Sequence, residues 1–353
     1  MLTPFLKALA ERRDLTRKEA TEAMSLIMDG AADDAQIAAF AMGLRVKGET
    51  PDEITGCAQA LRRRAERIPG GRRTAGRLVD TCGTGGDELG TINVSTISAF
   101  VAAGAGLPVA KHGNRSVSSQ CGSADLLEAL GIPIDLAPEQ VGRCLEQTGI
   151  AFLFAPRFHP ALRHAAAARR SLGMRTIFNL LGPLCNPAGA RHQVMGVFDR
   201  GRLRTMAAVL KTLGGRRAML VQGHDGMDEI TVTGPTTVVE LRDGRLRTLS
   251  VTPESAGLRR WRLKELRGGG PERNAAVALG VLEGGRGAAR DIAILNAGAA
   301  LLVGGVASTL RDGAALAAEA IDKGRAREKL EQLRSFCSPL RAAAAGRPAG
   351  DPS

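Results

Sequence analysis

The chain has no tyrosine and one tryptophan, and aromatics make up only 3% of its 353 residues. Few platforms exist on which bases could stack, so nucleic-acid binding is not expected as its role. The net charge of +12 then reads as an arginine-rich protein with anionic substrates. The six cysteines (Cys57, Cys82, Cys121, Cys144, Cys185, Cys337) form no CxxC pair and no metal-ligand spacing with the five histidines. That argues against a disulfide frame and a zinc site. The longest weakly polar run, Ile294 to Ala307, falls short of the roughly 20 apolar residues a bilayer needs and reads as a buried helix. The N-terminus lacks an apolar h-region with a small-residue cleavage site, so a cytoplasmic protein with no membrane role is expected.

What is present organises into two parts. Apolar residues make up 44%, enough for a sizeable core, and the length suits a large domain plus a smaller one. Residues 1–67 read as short helices. Thr16 with Glu19 and Thr50 with Glu53 match capping boxes, the second followed by Pro51, and the helix between them stops at Gly48. Ile68 to Arg77 has linker composition. From Leu78 onward short apolar runs alternate with helical patterns, the mark of a mainly parallel sheet with crossover helices. A hairpin is expected at Asp243-Gly244. Residues 160–182 revert to helix and are expected to rejoin the N-terminal helices. The fold class is therefore α/β, an all-helical small domain plus an α/β domain over 78–159 and 183–340, with a loose tail at 341–353.

The segment DTCGTGGDELGTINVST (Asp80 to Thr96) crowds glycines and hydroxyls behind a strand end. Glycines there let the backbone approach a ligand, and successive N–H groups cradle phosphate oxygens. It is neither a dinucleotide fingerprint nor a triphosphate P-loop. Ser95 and Thr96 open the next helix, as caps or as phosphate ligands. A second strand ends in KHGNRSVSSQCGSAD (Lys111 to Asp125), where Ser123 is expected to cap a helix. Two such loops at neighbouring strand ends suit a pyrophosphate and a separate phosphate. Adjacent Asp228 and Glu229 offer hard oxygen ligands for Mg²⁺, serving two ions or sitting in a turn. Arg169 or Arg170 is placed to fork a substrate carboxylate. His112, Cys82 and Cys121 show no spacing with an acid or base that would mark a covalent catalyst.

Taken together, GTGGD, NVST, KHGNRSVSS, GSAD, NLLGPLCNPAG and DGMDE, in this order, closely resemble the anthranilate phosphoribosyltransferases of tryptophan biosynthesis. The resemblance runs to about Leu333. It implies a homodimer formed through the helical domain, Mg²⁺ (two ions per subunit), and transfer of phosphoribosyl from phosphoribosyl pyrophosphate (PRPP) to anthranilate. It assigns PRPP to Gly83, Gly86, Asp87, Thr91, Asn93, Val94, Ser95, Thr96, Lys111, His112, Gly113, Asn114, Arg115, Ser116, Val117, Ser118, Ser119 and Ser123. Anthranilate falls to Gly83, Asn114 and Arg169, and metal to Ser95, Asp228 and Glu229. No residue is implied as a covalent or obligatory acid/base catalyst. Gln222 and the Glu88-Leu89 pair depart from the family's pattern. A nucleoside phosphorylase on the same fold, or an idle relative that binds nucleic acid, are the alternatives.

Overall fold

Caps decide the N-terminal helices. α1 (Thr3–Ala10) carries Pro4 in its first turn. α2 (Arg17–Met28) opens on a capping box in which Glu19 N donates to Thr16 Oγ1 at 3.2 Å and Thr16 N donates to Glu19 Oε2 at 2.8 Å. α3 (Asp34–Lys47) is capped by Asp33 and stops at Gly48, whose φ of 92° favours glycine. α4 (Pro51–Arg64) opens on the second box, Thr50 with Glu53. The computed structural model describes residues 1–69, 76–116 and 120–345, so most of the expected linker lies outside the described residues.

The alternating part follows as β1 (Val79–Asp80), α5 (Val94–Gly104), β2 (Val109–Gly113), α6 (Ser123–Ala129), α7 (Pro138–Thr148), β3 (Ile150–Phe154) and α8 (Ala155–Phe158). A 3-10 turn (Pro160–Ala165), α9 (Ala166–Leu172) and α10 (Ile177–Leu181) precede β4 (His192–Gly196), α11 (Leu203–Thr212) and β5 (Arg217–Gly223). β6 (Thr236–Arg242) and β7 (Arg245–Val251) form the expected hairpin, turning on Asp243 (φ 51°) and Gly244 (φ 72°). α12 (Pro271–Leu282), α13 (Ala288–Val303), α14 (Leu310–Asp322) and α15 (Arg325–Ala345) complete the chain. Residues 341–345, read as the start of a loose tail, are helical; their alanine run carries α15 onward.

The strand order is β3-β2-β1-β4-β5-β6-β7, parallel from β3 through β5 and antiparallel at β6 and β7. Strand β1 has β2 on one side and β4 on the other, so the order reverses at β1 and a crevice opens beyond its carboxyl end.

Alternation across β4 to β6 assigns each face its own core. Val194, Met219, Val221 and Val238 pack with Ile292 and Leu295 of α13. Met195, Ala218, Leu220 and Val239 join a core that contains Ile27, Phe40 and Leu61 of the N-terminal helices. The helical unit is thus packed onto one sheet face through α10 and α11. Arg62 fastens it there, donating from Nε to Leu184 O at 2.6 Å and from its guanidinium to Leu213 O at 3.0 Å. α9 packs on α3, and the turn before it packs on α2. No helix among the described residues is long and apolar enough to cross a membrane.

Candidate active site

Strands β1, β2, β4 and β5 all deliver their carboxyl ends to one edge, and the glycines there set the approach distances. A Cβ on Gly83 would meet Gly196 O at 2.9 Å, and one on Gly196 would overlap the Asp228 carbonyl. Thr84 N donates to Gly196 O at 2.8 Å. Three chain segments far apart in sequence are therefore stacked backbone to backbone. Gly85, Gly86 and Gly90 take positive φ, and so does Glu88 at 61°, which lets the loop fold back over the crevice. Arg175 holds it there: its guanidinium pairs with Glu88 at 2.7 Å and lies 4.5 Å from the Phe198 ring centroid.

Asn93 stands at the Ncap position of α5, yet its side chain makes no capping bond. It donates to Cys121 O at 2.9 Å and accepts from Asn274 Nδ2 at 2.8 Å, tying the two glycine-rich loops together. The first N–H groups of the helix are paired elsewhere: Val94 N donates to Ile92 O at 2.8 Å, Thr96 N to Asn93 O at 3.1 Å and Ser95 N to Glu229 Oε1 at 3.1 Å. Neither Ser95 nor Thr96 acts as the cap. Val94 and Thr96 are each 1% exposed and point into the core. Thr91 forms an antiparallel bridge with Arg267.

Lys111 is 4% exposed and donates from Nζ to Ser95 Oγ at 3.1 Å. His112 N donates to Asp80 Oδ1, and His112 Nδ1 lies 3.0 Å from Gly182 O. Burial, with His159 next, holds the His112 imidazole down at about 3, so it is neutral. Gly113, at the end of β2, packs on Phe152 and Ser123. Asn114 is exposed; its Oδ1 accepts from Arg115 N at 2.7 Å. Arg115 pairs with Asp125 at 2.9 Å and Glu128 at 2.6 Å. Ser116 N donates to Asp125 Oδ2 at 3.1 Å. Ser123 is not the cap expected of it; Gly122 holds that position, its N–H donating to Asp125, while Ser123 Oγ donates to Asn114 O at 3.2 Å. Val117, Ser118 and Ser119 lie outside the described residues.

Asp228 and Glu229 sit in a turn rather than a strand, both half-buried. Burial pushes the Asp228 carboxyl up to about 7, and Asp87 beside it adds to the rise. Glu229 is held well above the usual carboxylate range by burial and by Asp228, with Lys111 opposing. Three carboxylates therefore share a pocket in which Lys111 is the opposing cation. Proximity of Asp87 to Asp228 had no signal in the sequence, 141 residues apart by number (228 − 87). The same holds for the Asp80, Cys82 and His112 side chains, which offer ligand atoms within 4.8 Å of one another. Asp80 is nevertheless engaged by Cys82 N, His112 N and Asn186 Nδ2, and burial pushes the Cys82 thiol up. Of the two arginines, Arg169 is half-buried over Phe178, 5.6 Å from its centroid, while Arg170 is exposed.

An open, mainly parallel sheet with glycine-rich loops at its switch point and a helical bundle on its flank defines a class. The glycosyl transferase family, a/b domain, matches residues 75–327, and its helical bundle domain matches residues 3–65. The anthranilate phosphoribosyltransferase of Symbiobacterium thermophilum is 52% identical over 97% of this chain and 99% of its own. That of Moorella thermoacetica is 54% identical over 94% and 97%. The anthranilate phosphoribosyltransferase structure from Thermus thermophilus superposes with a TM-score of 0.88 at 44% identity, over 94% of this chain and 99% of that one. The Saccharomyces cerevisiae enzyme, in complex with PRPP and Mg, gives 0.86 at 27%, over 96% and 98%. The chain belongs to the anthranilate phosphoribosyltransferase family.

Proposed function

We propose that the chain transfers the phosphoribosyl group of PRPP to the amine of anthranilate, giving N-(5-phosphoribosyl)anthranilate and pyrophosphate in tryptophan biosynthesis. The observation that carries this reading is the meeting of Asp87, Asp228 and Glu229 with Lys111 and with Ser95 at the start of α5. Burial and acidic neighbours raise the proton affinity of Asp228 and Glu229, which are therefore short of positive charge, and their hard oxygens fit Mg²⁺. Ser95, Asp228 and Glu229 would hold it, as two ions per subunit. Bound there, Mg²⁺ would neutralise charge on the pyrophosphate group.

The chain's own residues do the rest. Backbone N–H groups of Gly83, Gly86 and Asp87 cradle phosphate oxygens, joined by Lys111 and the Lys111 to Ser119 loop with Ser123 at its end, and by Ser95 N once it exchanges Glu229 for phosphate. For Arg115 this requires exchanging carboxylates for phosphate. Arg169 has no acidic partner among the described residues, and burial on Phe178 leaves its fork for the anthranilate carboxylate, with Gly83 and Asn114 completing that subsite. The amine attacks the ribose C1 carbon and pyrophosphate departs through an oxocarbenium-like state, with inversion. Positioning supplies roughly 7–11 kcal/mol, and preorganised dipoles several more. His112 is held neutral and the Cys82 thiol is raised, so neither is poised as a nucleophile; an aromatic amine attacks without a protein base. A homodimer through the helical domain and a cytoplasmic location belong to this reading.

Anthranilate fluorescence should fall when PRPP and Mg²⁺ are added to the purified protein. Unchanged fluorescence overturns the reading, and a glycosyl-enzyme adduct seen by mass spectrometry overturns the direct displacement.

A further inference from the structure

The acidic turn is anchored by a residue from the run that the sequence marks only as a buried helix. Asn296 lies inside α13 and is 2% exposed. Its Oδ1 accepts from Ile230 N at 3.0 Å, and its Nδ2 donates to Ile230 O and Ile292 O, both at 2.9 Å. One side-chain amide thus satisfies both main-chain polar groups of the residue that follows Glu229, as a neighbouring strand would. At the other end of the turn, Asp225 accepts from Met227 N at 3.1 Å and from the Thr231 and Thr233 hydroxyls at 2.7 and 2.6 Å. Asp228 and Glu229 hang between these anchors.

Asparagine is a weak helix former, and a buried amide costs free energy unless every group is paired. An apolar side chain would serve the helix better. What only an amide supplies is a partner for both main-chain groups of Ile230, which is 0% exposed and whose N–H and C=O both pair with Asn296. We propose that Asn296 is a positioning residue for the divalent-cation site, fixing the carboxylates of Asp228 and Glu229 at the spacing that binds the ion with PRPP. This rests on the reading of those two residues as metal-holding groups.

The test is direct Mn²⁺ binding, followed by the electron paramagnetic resonance signal of the free ion, with PRPP present and no anthranilate. Asn296→Leu, near in volume, removes all three bonds. It should weaken Mn²⁺ binding by about tenfold or more, the usual scale for groups that orient metal ligands. Leu295→Ala is the control, because it removes packing from the same helix and leaves the amide bonds. It should stay within about twofold of the starting protein even where its melting temperature falls as far. Asn296→Ser, a milder lesion, is measured in parallel and should fall between, which keeps the comparison available if the leucine variant does not fold. Mn²⁺ binding unchanged in the Asn296 variants, or weakened equally by Leu295→Ala, overturns the proposal. Binding unchanged in Asp228→Asn with Glu229→Gln overturns the metal reading beneath it, a distinguishable result.

Discussion

Glu88 and Arg175 meet at 2.7 Å across the mouth of the crevice, one from the glycine-rich loop and the other from the segment between α9 and α10. A Cβ on Gly86 would meet the Arg175 guanidinium carbon at 2.9 Å, so the arginine is layered between loop backbone and the Phe198 ring. The Glu88 side chain is 70% exposed, and an exposed pair of this kind contributes about 0–1 kcal/mol. Glu88→Ala should therefore raise KM for PRPP by no more than about fivefold, with the effect fading in high salt. Arg175→Ala also loses the ring contact, so its KM should rise further, by about tenfold. Steady-state kinetics at two ionic strengths decide this; equal effects of the two variants would refute the layering.

Asp228→Asn with Glu229→Gln removes two carboxylates whose protonation the fold already favours. The fold should survive, with an unchanged circular dichroism spectrum and a melting temperature at or above the starting value. Activity at limiting Mg²⁺ should fall by about 100-fold, the upper scale for disturbing a metal site. A retained Mg²⁺ dependence of rate would remove these residues from the metal's ligands.

Arg169 and Arg170 cannot be told apart by sequence, because a one-residue slip in register is invisible there. The structure separates them by burial. Arg169→Lys keeps charge but loses the fork, and should raise KM for anthranilate by about tenfold or more while leaving KM for PRPP nearly constant. Arg170→Ala should change neither by more than about twofold. Reversed sensitivities would move the carboxylate site to Arg170.

Legibility in the sequence followed the range of the forces involved. The capping boxes at Thr16 and Thr50, the Asp243-Gly244 turn and the alternating strands are local, and they appear where the pattern puts them. Ser123 reads as a cap because a hydroxyl before a helix is a good local signal, but Asp125 reaches back to Gly122 and moves the boundary by one residue. Contacts such as Asp87 with Asp228, Asn93 with Asn274 and Asn296 with Ile230 join strands and helices that the sheet brings together, so no spacing announces them. Chemistry-bearing residues were visible; their orientation was not.

Buried imidazoles give the protein an acid limit. His112 and His159 face each other at 5.1 Å between centroids, and burial lowers them from 6.5 to about 3 and about 4. Their folded values lie below the unfolded one, so this stability is complete above about pH 6.5 and is lost as pH falls toward about 4 for His159 and about 3 for His112. Replacing His159 with Gln should remove its share. Denaturant unfolding at pH 7 and pH 5 should show the variant losing about 2 kcal/mol less than the unaltered chain over that step. Equal losses would show that His159 titrates in the fold as it does in the unfolded chain.

Two glycine-to-alanine changes should have opposite signs, and the difference tests how tightly the crevice floor is stacked. Gly280 lies in α12 with ordinary helical φ and open space where a methyl would stand. Gly280→Ala should stabilise by about 0.5–1 kcal/mol through helix propensity and a stiffer unfolded chain. At Gly196 the same methyl would occupy the position of the Asp228 carbonyl, and rigid backbone cannot yield as a side chain does. Gly196→Ala should cost about 1–3 kcal/mol or more and displace the acidic turn, weakening Mg²⁺ dependence and stability together. Thermal melts with and without PRPP and Mg²⁺ separate these effects: ligand-induced stabilisation should persist in Gly280→Ala and shrink in Gly196→Ala. A Gly196→Ala protein with full ligand-induced stabilisation would mean that β4 shifts freely, and the backbone stack would then not set the site's geometry.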